Sequence, residues 1–181
     1  KIVSNKDRLS TYLSSTRGVE LSKKGNVTQC DNCNNWSPSP SKEIFNCPHC
    51  KTQSIKMDCN SEVIVHKHRK ANCKPIIVGE HISRYSLASD LWIDTTKEGL
   101  KYKHTSIYKG EKLIVRKTGI GISAAIDYKQ YMTNQVVYIF KLKDQIDNSL
   151  PLEFFLLALS SRLAFFFIAM SNGEIEWKSH P

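Results

Sequence analysis

The sequence predicts an α+β fold: a mixed or antiparallel sheet, a C-terminal packing helix and a small zinc-ribbon module. Three observations carry that expectation. Short β-branched runs recur through the second half of the chain, and one long apolar stretch lies near its end. Four cysteines crowd a segment too poor in aliphatic residues to build a core of its own.

Lys1 to Gly25 is polar, and its phrase Arg17-Gly18-Val19-Glu20-Leu21 reads as a loop feeding a strand. From Val27 to Ile55 the texture changes to Pro38, Pro40, Pro48, several Asn and Ser, and the four cysteines. That segment reads as a separate insertion, residues 27–56, between an N-terminal part, residues 1–26, and a main domain over residues 57–181. In the main domain Val63-Ile64-Val65, Ile76-Ile77-Val78 and Leu91-Trp92-Ile93 are short strand candidates. Lys112 to Arg116 and Gln135 to Phe140 are longer ones, and Gly119 and Gly121 between them mark a turn or bulge.

Leu150 to Met170 is about the length that spans a bilayer. It contains Glu153, Arg162 and a central Ser160-Ser161 pair, and a mid-span Arg costs about 2.5 kcal/mol or more. Pro151 suits a helix start and Asn172-Gly173 a helix end, so one amphipathic helix closing the core is expected. No apolar leader follows Lys1, and the expectation is a soluble cytoplasmic protein without a membrane partner. The absence of an initiating Met reads as a fragment of a longer chain.

Cys30 and Cys33 form one CxxC and Cys47 and Cys50 a second, with thirteen residues between the pairs. Each pair turns two thiolates toward one point, and four thiolates complete the tetrahedron that Zn²⁺ prefers. Disulfides suit secreted chains, and a redox CxxC needs a βαβ unit that is missing here. Four thiolates leave no open position, so the zinc expected is structural. Cys59 and Cys73 stand apart, with His66 and His68 between them, so a second metal site and free buried thiols with solvated histidines both stay open.

The formal net charge of +9 favours a polyanionic partner, because each Lys or Arg that reaches a phosphate releases condensed counterions. No dinucleotide fingerprint, phosphate loop, nucleophilic triad or marked carboxylate pair is present, so no catalytic residue is assigned.

Five phrases in fixed order resemble a known family. They are SSTRGVELSKKG from Ser14, VGEHISRYSL from Val78, GEKLIVRKTGIGISAAID from Gly110, YMTNQVVYIF from Tyr131 and LEFFLLALSSRLAFFFI from Leu152. Together they resemble the TaqI-like C-terminal specificity domain of bacterial adenine-N6 DNA methyltransferases and fused restriction–modification enzymes. The resemblance implies recognition of a double-stranded DNA target on behalf of the chain's own upstream methyltransferase domain. Such enzymes hold S-adenosylmethionine and the flipped adenine in a catalytic domain with an NPPY-like motif. This sequence has no Asn-Pro dipeptide, so the fragment is expected to bind DNA without methylating it.

Within that reading Arg116, Lys117 and Thr118 enter the glycine turn, where Arg116 is placed to pair with a guanine edge and the other two to hold phosphate. Arg84 beside Tyr85 is suited to either role, and Lys109, Lys112, Tyr128 and Lys129 to backbone contacts. For each of them a solvated strand edge is the plain alternative. The ribbon is expected mainly to staple its loop, and Lys23, Lys24, Lys51, Lys56 and Trp36 would also let it extend a DNA footprint. Two other functions stay in play: a zinc-ribbon RNA-binding domain, and a protein-interaction scaffold marked by an exposed Phe165-Phe166-Phe167 face.

Overall fold

A computed structural model describes residues 8–116, 121–144 and 150–172, with the backbone alone for 168, 169, 171 and 172. After a helical turn, α1 (Leu9–Tyr12), come β1 (Leu13–Arg17), β2 (Asn26–Gln29), β3 (Trp36–Pro38), β4 (Ile44–Asn46), β5 (Gln53–Ile55) and β6 (Ser61–Val63). They are followed by β7 (Val65–His66), β8 (Cys73–Ile77), β9 (Ile82–Ser83), β10 (Ser86–Leu87) and β11 (Leu91–Asp94). The remaining described strands are β12 (Lys112–Arg116), β13 (Ala124–Asp127), β14 (Met132–Thr133) and β15 (Val137–Leu142), followed by the helices α2 (Leu152–Leu159) and α3 (Arg162–Asn172).

Two four-stranded sheets organise the main domain. One is antiparallel, in the order β1-β15-β12-β13; the other runs β14-β8-β11-β7, with β14 and β8 parallel and the remaining pairs antiparallel. Strand alternation splits β12 between two cores. Leu113 and Val115 join Leu13, Ala124, Leu152 and Phe155 under α2, whereas Ile114 faces inward with Val137 and Ile139. That inner core also takes Ile76, Ile77 and Ile93 from the mixed sheet. Burying each such aliphatic side chain contributes about 1.5–3 kcal/mol.

The long strand candidates are strands as expected, and the shorter ones shift. Ile64 breaks the Val63–Val65 run into β6 and β7, and the last strand begins two residues after Gln135. The C-terminal stretch is not one helix. Ser160-Ser161 divides it, and the Ser161 hydroxyl accepts the Ala164 amide at 3.1 Å, capping α3 as short hydroxyl side chains do. Among the described residues no helix is long and apolar enough to cross a membrane. The Asn172-Gly173 stop signal and the Gly119 turn fall on or against residues outside the description.

The cysteine-rich segment is stitched to the rest rather than set apart. Its strand β2 pairs with both β3 and β6, so a boundary at residue 56 would cut through a three-stranded sheet. Val27 and Trp36 belong to the inner core, the Trp36 amide donates to Glu98 O at 2.8 Å, and the Lys97 ammonium lies 4.5 Å from the Trp36 ring centroid. The RGVEL phrase also has a physical reason. Gly18 lies so close to β14 that a Cβ there would sit 1.9 Å from Thr133 O, and the next amide, of Val19, donates to that oxygen at 2.8 Å.

Candidate functional site: a four-cysteine cluster and two arginines at a hairpin end

The two CxxC segments fold as near copies of each other. The Asn34 amide donates to Cys30 O at 2.8 Å and the Cys30 amide to Asn35 O at 3.0 Å. In the second copy Lys51 donates to Cys47 O at 3.0 Å and Cys47 to Thr52 O at 2.9 Å. Each turn closes through a left-handed residue, Asn34 at φ 57° and Lys51 at φ 64°. Asparagine tolerates that region, whereas lysine occupies it at a cost.

The result is one point of convergence. All four Sγ atoms lie within 4.8 Å of one another, with Cys30 to Cys50 at 3.7 Å and Cys33 to Cys47 at 3.8 Å. A tetrahedron with bonds of about 2.3 Å has edges of about 3.8 Å, so the set fits Zn²⁺. Disulfides are absent from it, since all four cysteines are free. The Asn32 and Asn35 amide groups approach Cys50 and Cys33 at 3.6 and 3.7 Å, and the His49 amide donates to Cys47 at 3.4 Å. Such N–H groups favour thiolates, and the hydrogen bonds from Thr52 and Asn32 hold Cys50 down at about 5, whereas burial pushes Cys47 up to about 11. Cys59 does not join the cluster. It is buried, with its thiol 3.9 Å from Asp31 Oδ1, while Cys73 lies on β8 opposite Asp94. Among the described residues no second group of three or more metal-ligating side chains converges.

The residues expected to touch DNA divide between the two ends of the β12–β13 hairpin. Arg84, Tyr85 and Arg116 gather at one end, and Lys109, Lys112, Tyr128 and Lys129 lie at the other, since Lys112 pairs with Asp127. Four residue steps of strand, from Lys112 to Arg116, separate the groups, roughly 13 Å. Lys117 and Thr118 lie outside the described residues.

Arg116 is half-buried at the end of β12 and lines an open cleft of about 260 Å³ with Lys23, Gly79, Glu80, Asn134 and Gln135. Gly79 packs beside it: a Cβ there would lie 3.2 Å from Val136 Cγ2 and 3.4 Å from Arg116 Cγ. Its Nε is buried without a hydrogen-bond partner, and among the described residues no carboxylate pairs with the guanidinium. Glu80 at the rim is committed to Lys23 at 3.0 Å, a contact that lowers its pKa.

Arg84 is engaged differently. It occupies the β9–β10 turn with Tyr85, whose φ is 67° and whose amide donates to Ala124 O at 2.9 Å. The guanidinium lies 5.1 Å from the Tyr85 ring centroid and donates to Ser160 O, where α2 gives way to α3. It therefore ties the turn to the helix break while staying exposed.

Lys112 is not a surface lysine. Its side chain is fully buried, bonded to Asp127 and donating to Tyr108 O at 2.8 Å, so no face remains for a phosphate. Alternation places it on the inward face with Ile114, so it serves the core. Tyr128 is exposed but donates to Glu153 Oε1 at 2.9 Å, and that carboxylate raises its pKa. Lys109 and Lys129 are exposed at loop positions and remain available.

One exposed basic run lies outside both the cluster and the hairpin ends. His66-Lys67-His68-Arg69-Lys70 carries its charge in the open. The apolar face of α3 is also in solvent, with Leu163, Phe166 and Met170 each about 60% exposed and Phe165 and Phe167 less so.

Residues 74–177 match the family model of the TaqI-like C-terminal specificity domain. The match begins beyond the four cysteines and beyond the SSTRGVELSKKG phrase, although β1 from that phrase is a member of the antiparallel sheet. Among curated proteins none matches the chain.

Proposed function

The chain belongs to the TaqI-like C-terminal specificity domain family, which implies DNA target recognition in a restriction–modification or methyltransferase setting, and on that footing we propose that it reads a specific duplex sequence for an adenine-N6 DNA methyltransferase. The observation that carries the finer reading is Arg116. A guanidinium lodged in an open cleft against Gly79, without a carboxylate partner among the described residues, is ready to meet a base edge. Arginine is the side chain best shaped for the paired acceptors of guanine, N7 and O6. Lys109 and Lys129, at the other end of the hairpin, hold phosphate in this reading, as do Lys117 and Thr118, which follow Arg116 in the sequence.

Methyl transfer belongs to a separate catalytic domain that binds S-adenosylmethionine, and the protein works in the cytoplasm, where thiols stay reduced and can hold zinc. The four-cysteine centre is structural: it closes two loops that are joined to the core through Trp36.

The test is enrichment of random duplex DNA on the chain, followed by the same enrichment with Arg116→Ala. The expected result is a short motif for the wild type and a relaxed motif for the variant, with discrimination at one position falling by about 1–3 kcal/mol. A variant that loses affinity for all sequences equally would make Arg116 a phosphate contact, and a wild type that binds no duplex would overturn the function.

One observation favours a second reading. The exposed apolar face of α3 is the surface a protein-docking module would present. Phe166→Glu lowering association with a partner while leaving DNA binding intact would support that role alongside recognition.

A further inference from the structure

The segment from Lys67 to Lys74 lies before the span matched to the family except for Lys74, the first residue of that span, and is absorbed by neither the cleft nor the cysteine centre. It carries Lys67, Arg69, Lys70 and Lys74, all exposed, and no acidic residue occurs between Glu62 and Glu80. Some lysines elsewhere are matched with carboxylates, such as Lys23 with Glu80, Lys97 with Glu62 and Lys103 with Glu20. These four cations enter no ion pair among the described residues.

The backbone holds them in place. β7 and β8 flank β11 on opposite sides and run parallel to each other, β7 leaving opposite Trp92 and β8 entering opposite Asp94, so the connection crosses over β11 as an arch. It is pinned where the Cys73 amide donates to Lys70 O at 3.3 Å and Thr95 Oγ1 to Asn72 O at 3.3 Å, with Asn72 in the left-handed region at φ 62°. The Arg69 guanidinium lies 5.2 Å from the ring centroid of half-buried Trp92 on β11. Stacking of this kind orders a charge that would otherwise lose entropy on binding.

We infer that this arch is a second DNA-contact site, a clamp on the phosphate backbone of the duplex whose bases the Arg116 end reads. The inference rests on the proposed DNA-reading function. An ordered set of cations that enter no ion pair among the described residues suits a polyanion with closely spaced charges; Asp94, opposite Cys73, is engaged by the Thr96 amide and hydroxyl. Its location gives it reach. The arch opens β8 at Cys73, whereas Gly79 at the Arg116 cleft follows the other end of that strand, roughly 20 Å away at strand rise. At about 3.4 Å per base-pair step that distance is about six steps along a duplex.

The experiment measures duplex affinity of the 181-residue chain as a function of salt, for the wild type and for Lys67→Ala/Arg69→Ala/Lys70→Ala. Removing three phosphate contacts lowers the slope of log K against log salt by about 2–3 units and affinity on the order of 100-fold at 0.1 M salt. The enriched motif stays the same, and the hydroxyl-radical footprint shortens at one edge only. Should loss of the Arg69–Trp92 stack unfold the variant, Lys67→Ala/Lys70→Ala/Lys74→Ala keeps that stack and should lower the slope alike. An unchanged slope and footprint in a folded variant would overturn the clamp alone, as would a changed motif. A wild type without duplex binding would overturn the DNA-reading function and the clamp with it.

Discussion

Lys112 and Asp127 face each other across the β12–β13 ladder with both side chains fully buried, and the pair organises the end of the hairpin opposite Arg116. Asp127 accepts the Lys129 amide on Oδ1 and the Tyr131 amide on Oδ2, each at 2.8 Å, so one carboxylate satisfies two backbone donors and the lysine. Burial alone would drive the proton off Lys112; it lowers the lysine pKa, and Asp127 opposes that shift. The pair lies between loop and core, where either partner alone would be a stranded charge.

Asp127→Ala leaves the ammonium buried without its counter-charge and two amides without an acceptor. Urea unfolding should show a loss of about 3–5 kcal/mol. Lys112→Met removes the charge and keeps the volume, so it should cost less than Asp127→Ala, and folded Lys112→Met should bind duplex DNA with the wild-type salt slope. A reduced slope would restore Lys112 as a phosphate contact.

The four-cysteine centre was legible in the sequence because zinc demands only residue type and spacing, and two CxxC turns supply both locally. β12 and β15 were legible as long β-branched runs. Lys112 was misplaced because its partner lies fifteen positions away, and only the hairpin register reveals it. The parity of the strand held a clue, since Lys112 and Ile114 must share a face. The helix break at Ser160-Ser161 was visible as two polar residues, yet its capping role depends on geometry. The arch from Lys67 to Lys74 is not legible in the sequence, because its charge gains an arrangement only where the loop is held against Trp92 and Thr95.

Zinc removal should loosen more than the loops it binds. The Trp36 carbonyl lies 3.1 Å from His49 Nε2 in the second CxxC turn, and the Trp36 ring is in the inner core. A strong chelator should release about one zinc per chain, and hydrogen exchange should rise across residues 30–50 and also at Lys97 to Gly99, which pack on Trp36. Exchange confined to residues 30–50 would show that the ribbon is mechanically separate.

Arg84→Ala and Arg116→Ala should separate structure from recognition. Arg84 donates to Ser160 O at the junction of α2 and α3, so its loss should lower stability by about 1–2 kcal/mol and leave the DNA motif largely as it was. Arg116 has no hydrogen-bonded partner on Nε to lose, so its loss should spare stability and relax the motif. Thermal unfolding set beside duplex enrichment distinguishes the two, and a reversed pattern would exchange their roles.

Gly18→Ala tests why the RGVEL phrase carries a glycine. The added carbon would lie 1.9 Å from Thr133 O and 2.3 Å from Thr133 Oγ1, distances at which atoms cannot remain. Either β14 or the strand exit after β1 must move, and the Val19–Thr133 hydrogen bond moves with it. Overpacking of this kind costs about 1–3 kcal/mol. In a domain of this size each kcal/mol lowers the melting temperature by about 2–4 °C. The Thr133-Asn134 segment leads into the wall of the Arg116 cleft, so the same variant should weaken sequence discrimination as well as stability. Loss of stability with an intact motif would show that the cleft keeps its shape without β14, and that Gly18 matters to the fold alone.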